Sequence, residues 1–106
     1  MPKYLVQFSY TGEGVKGLLK EGGSSRRAAA EELVKSLGGT LEAYYFAFGE
    51  TDGCLIADLP DNASMAAIAL TVGASGAVTV KTTVLMTSEQ VDEAVKKTPS
   101  YRPPGQ

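Results

Sequence analysis

The stretch TLEAYYFAFGETDGCLIADLP, residues 40–60, decides the fold. Thr40 to Phe48 is rich in aromatic and β-prone residues and reads as a strand. Leu41, Ala43, Tyr45 and Ala47 alternate onto one face, and Tyr44, Phe46 and Phe48 with Glu42 onto the other. A strand apolar on both faces needs cover on both. Gly49-Glu50-Thr51-Asp52-Gly53 has the composition of a turn, so the strand is expected to fold back as a hairpin into a second one, Cys54 to Leu59. Pro60-Asp61 closes the unit.

Working outward, Lys3 to Tyr10 reads as the first strand, with Tyr4, Val6, Phe8 and Tyr10 on one face and Lys3, Leu5, Gln7 and Ser9 on the other. Thr11 is placed to cap a helix near Gly12, and Val15, Leu18 and Leu19 keep helical spacing up to Gly22-Gly23. A further helical stretch follows from Ser24 or Ser25, with Ala29, Ala30, Leu33, Val34 and Leu37 on one side, and Gly38-Gly39 suits a left-handed C-cap. These read as one long helix with a kink or short break at the glycine pair. Beyond the hairpin, Asp61 is a plausible N-cap for an alanine-rich helix, Ala63 to Val72, and Ala77 to Met86 reads as the last strand. Thr87-Ser88-Glu89-Gln90 matches a capping box ahead of a short helix carrying Val91, Ala94 and Val95. Residues 1–97 are read as one domain and 98–106 as an extended, proline-containing tail.

The order strand, helix, strand, strand, helix, strand fits a ferredoxin-like α+β fold: a four-stranded antiparallel sheet with two helices on one face. The other face is left open. Because the second strand is apolar in either register, that face is expected to meet the same face of a second chain, closing a dimeric α/β barrel. The alternative is a monomer whose C-terminal helix and tail fold across it.

Bulk composition narrows the chemistry. A net charge of −2 over 106 residues gives no electrostatic drive toward nucleic acid. No apolar run approaches the roughly 20 residues that span a bilayer. The N-terminus shows no basic-then-apolar leader pattern, so the cytoplasm is the expected location. The chain has no histidine and a single cysteine, Cys54, read as a small hydrophobe. No metal or haem is therefore expected, and no motif calls for a cofactor.

Several groups of residues together resemble the GYD-domain family, small bacterial proteins related to the dimeric α/β barrel superfamily. They are Tyr10-Thr11 followed by Gly14-Val15-Lys16, the stretch Leu41 to Gly49, Asp58-Leu59-Pro60-Asp61, and Lys81-Thr82-Thr83-Val84-Leu85. The resemblance spans nearly the whole chain and implies the same fold and pairing. In the motif that names the family, Gly49 and Asp52 match, whereas Thr51 stands at the tyrosine position and Gly53-Cys54 replaces a more apolar pair. Gly49 and Asp52 read locally as turn builders, the first through positive φ and the second through bonds to its own backbone.

Strand alternation gives the candidate ligand site. Gln7 and Ser9, if they face the same way as Lys81 and Thr83, gather polar groups on the open face. Lys81 is the leading candidate cation for a small anionic ligand, with Glu42 as its expected internal partner if parity matches. Of Tyr44 and Tyr45 only one can look into a shared cavity, and Arg26-Arg27 is read either as a carboxylate or phosphate clamp or as a solvated helix face. Two functions remain open: a small-molecule-binding or cofactor-independent enzyme-like barrel, and a non-enzymatic assembly or regulatory module.

Overall fold

The computed structural model describes all 106 residues. Its elements are β1 (Lys3–Tyr10), α1 (Gly12–Glu21), α2 (Gly23–Ser36), β2 (Thr40–Phe46), β3 (Gly53–Asp58), α3 (Asn62–Ala74), β4 (Val78–Leu85) and α4 (Ser88–Val95). All strand pairs are antiparallel, in the order β2-β3-β1-β4, which makes one open four-stranded sheet. No helix is long and apolar enough to cross a membrane.

Local chemistry accounts for most boundaries. Thr11, Asp61 and Thr87 cap α1, α3 and α4 by accepting from the backbone N–H of Gly14, Ser64 and Gln90. At Thr87 the Gln90 side chain accepts in return, completing the capping box. The long helix is broken at Gly22, whose φ of +88° is easily reached only without a Cβ. Gly38, also at positive φ, ends α2 in a Schellman motif: the N–H of Gly38 bonds Lys35 and that of Gly39 bonds Val34.

One face of the sheet carries the core. Tyr4, Val6, Ala57 and Leu59 are fully or nearly fully buried against Val34 of α2 and Met65 and Ile68 of α3. Leu59 has no exposed surface, and truncating such a side chain to alanine costs about 2–5 kcal/mol.

A register shift between Leu41 and Ala43 corrects the simple alternation of β2. Leu41 pairs with Ala57 and Ala43 with Ile56, leaving Glu42 as the extra residue of a β-bulge. Leu41 thereby joins Tyr44 and Phe46 on the helix-covered face, while Ala43 and Tyr45 look the other way.

Candidate functional site

Register fixes what the open face presents. Its rows across the sheet are Tyr45, Cys54, Gln7 and Lys81; Ala43, Ile56, Leu5 and Thr83; and Thr40, Asp58, Lys3 and Leu85. Ser9 pairs with Thr79 on the same side. Gln7, Ser9, Lys81 and Thr83 thus share one face, around an apolar centre of Leu5 and Ile56. Glu42 does not join them. Its carboxylate accepts from the Lys3 ammonium, which also donates to Asp58 at 2.9 Å. Those two carboxylates, Glu42 first, raise the pKa of Lys3. Lys3 lies four residues along β1 from the Lys81 row, about 13 Å at strand rise, too far for Glu42 to serve both. None of the ion pairs in the chain involves Lys81.

Tyr44 is also absent from that face. It lies on the helix side, its ring 5.4 Å from that of Phe8 and 5.4 Å from that of Phe46. Phe8 meets Tyr10 edge-on at 5.7 Å, so four aromatic rings form one cluster. Glycines make room for it. A Cβ on Gly53 would stand 2.3 Å from the Phe8 ring, and one on Gly23 would stand 2.9 Å from that of Phe46.

The cluster forms one end of a cavity of about 70 Å³ between the sheet, α2 and α3. Arg26 is the only charged residue among the seventeen that line it. Two further hollows share Tyr10 with its lining. One, of about 410 Å³, is bordered by Val15, Phe46 and Phe48; the other, of about 400 Å³, by Arg26, Glu21 and Thr71. Tyr10 therefore stands at the junction of all three spaces. Burial, then the neighbouring Tyr10 hydroxyl, raises the pKa of Tyr44, while Arg26 pulls it down. Tyr44 is accordingly a neutral hydrogen-bonding group at physiological pH. The Arg26 guanidinium has one loose ionic contact, Glu21 at 3.7 Å, and is about one-third exposed.

Asp52, the matching acidic residue of the GYD motif, does more than build its turn. Its carboxylate accepts from the backbone N–H of Tyr10 at 2.8 Å, and its own N–H donates to the Phe8 carbonyl at 2.9 Å. The hairpin loop is thus clamped to the end of β1 that presents Tyr10. Gly49 has no positive φ and open space around its Cβ position, so its backbone freedom is not what the turn uses.

Sequence reading paired Arg26 with Arg27 and did not single out Tyr10 as a site residue. The signal was available in spacing: Arg26, Ala30 and Leu33 stand at i, i+4 and i+7, so Arg26 belongs to the inward stripe of α2 and Arg27 does not. Tyr10 shares the parity of Phe8.

Four antiparallel strands in the order β2-β3-β1-β4, with the main helices packed on one face, define an α+β protein of the ferredoxin-like class. The GYD domain model matches residues 4–95, and the chain belongs to the GYD-domain family. No curated protein matches it.

Proposed function

We propose that the protein is a homodimer, joined through its open sheet faces, that binds a small molecule with an apolar body and an anionic head between the sheet and helices of each chain. The observation that carries the binding reading is the cavity lining: a wholly hydrophobic wall with Arg26 as its single charge and the Tyr10 and Tyr44 hydroxyls beside it. Apolar lining with a few convergent polar groups is the usual composition of a ligand pocket. A guanidinium there favours a carboxylate or phosphate, bound in two-pronged fashion, and the loosely held Glu21 is the group such an anion would displace.

Pairing is supported by the other face. Leu5, Ile56, Cys54 and Leu85 are only half-covered there, and Tyr45 remains 69% exposed. A second copy would bury these residues and set Gln7, Ser9, Lys81 and Thr83 within the intersubunit space, where polar groups must find partners across the interface.

The test is titration of the dimer with short- and medium-chain carboxylates and the matching alcohols, followed by amide NMR shifts. Carboxylates are expected to perturb Tyr10, Tyr44 and Ala30, and Arg26→Gln to weaken binding by tenfold or more, since a charge-assisted bond contributes about 1.5–3 kcal/mol. Equal binding of acids and alcohols, or an unaffected Arg26→Gln variant, would remove the anion reading; no binding to the cavity at all would leave an assembly module.

A further inference from the structure

Arg26 borders two spaces. It lines the apolar cavity between the sheet and the helices, and it lines the hollow of about 400 Å³ beside α1. The two spaces have Tyr10, Arg26, Val72 and Val78 in common, whereas the hollow of about 410 Å³ has only Tyr10 in common with the cavity. A molecule whose apolar part fills the cavity and whose anion meets Arg26 therefore has its polar end at the first of these hollows.

That hollow is chemically unlike the cavity. Glu13, Glu21, Thr71 and Ser75 line it with Arg26, so two carboxylates and one guanidinium border the same space, and no lysine does. The two acids are differently supplied. Glu13 is mostly exposed and lies 3.5 Å from Lys16 on its own helix. Glu21 is little more than one-third exposed: one of its oxygens accepts from the Ser25 hydroxyl at 2.8 Å, and the other stands 3.7 Å from Arg26, its only cation. A separation of 3.7 Å is longer than a hydrogen bond, so the pair is held by charge alone.

This arrangement sets a condition on the ligand. A carboxylate that takes Arg26 in two-pronged fashion draws the guanidinium away from Glu21. Glu21 then keeps a neutral hydroxyl and no cation, beside a second negative charge in a space partly withdrawn from water. Like charges so placed repel, and a part-buried carboxylate without a cation is costly. A fatty acid leaves that repulsion in place. A ligand with an ammonium next to its carboxylate removes it, because each charged group of the hollow then gains a partner of opposite sign.

We infer that the ligand is a zwitterion of the α-amino acid type with an apolar side chain: its carboxylate on Arg26, its ammonium on Glu21 and its side chain in the cavity. A charged or amide side chain is excluded by the apolar wall, which offers it no hydrogen-bond partner. The inference rests on the reading of the cavity as the site of an anion-headed ligand and narrows the class of molecule that it takes.

The test is calorimetric titration of the full-length protein with two matched pairs: L-leucine against 4-methylpentanoate, and L-phenylalanine against 3-phenylpropanoate. Within each pair the two molecules differ only in the amino group. In at least one pair the amino acid is expected to bind roughly tenfold or more tightly than its partner. Glu21→Gln is expected to abolish that preference, weakening the amino acid while leaving the simple acid as tight as before or tighter. Glu32→Gln, which changes an exposed carboxylate of α2 outside the hollow, is expected to leave it intact. Simple acids that bind as tightly as the amino acids, or a preference that survives Glu21→Gln, would overturn the zwitterion while leaving the Arg26 anion site standing. Failure of all four compounds to bind the parent would overturn both.

Discussion

The two faces of the one sheet differ in what covers them. On the helix side, Tyr4, Val6 and Phe8 alternate inward from β1 and are at most 5% exposed. On the other side, their neighbours Leu5, Gln7 and Ser9 are only half-covered. The strands are the same, so the difference lies in connectivity: both crossovers, through α1–α2 and through α3, pass over one face. The covered face encloses a cavity with Arg26, Tyr10 and Tyr44 at one end. The uncovered one presents an apolar centre with polar margins. An enclosed face is suited to a small molecule, and an open face to another protein surface.

This contrast breaks most visibly on the covered side. Leu59→Ala, which opens a hole where no surface is exposed, is expected to cost about 2–5 kcal/mol in urea unfolding at fixed protein concentration. A loss below 0.5 kcal/mol, the range of ordinary surface substitutions at roughly that size, would mean that this face is not the core. Next in size is the open face. Ile56→Lys is expected to weaken dimerisation about a hundredfold, or about 2.7 kcal/mol, while the isolated chain keeps its secondary structure. Unfolding of the monomer instead, seen by circular dichroism, would place Ile56 in the intrachain core.

The smallest effect concerns Tyr44. Because burial raises its folded-state pKa, its contribution to stability is complete below the unfolded value of about 10 and is lost as the pH climbs toward the higher folded value. Stability is therefore expected to fall above about pH 10, and more gently in Tyr44→Phe. The change should be well under ~1.4 kcal/mol per pH unit, since Tyr44 is only half-buried. Identical alkaline limbs for parent and variant would show that Tyr44 is not desolvated.

What the sequence disclosed was governed by local rules. The caps at Thr11, Asp61 and Thr87, the break at Gly22 and the outward face of Lys81 all depend on residues within a few positions. What it withheld depended on distant partners. The bulge at Glu42 turns on its pairing with β3, and reverses which face Leu41 joins. Lys3 rather than Lys81 takes Glu42 because Thr40, Asp58 and Lys3 form one row across the sheet, which brings the start of β2 to Lys3 and not to Lys81. The bond from Asp52 to Tyr10 spans 42 residues. The cavity exists because α2 packs over β2 and α3 over β4, a separation that no periodicity encodes.

The proposal that the open face of the sheet pairs with a second copy is tested most directly by the solution mass of the unmodified chain. Multi-angle light scattering at low micromolar concentration is expected to give twice the chain mass of 11.1 kDa. A single-chain mass, unchanged on raising the concentration into the hundreds of micromolar, would contradict it.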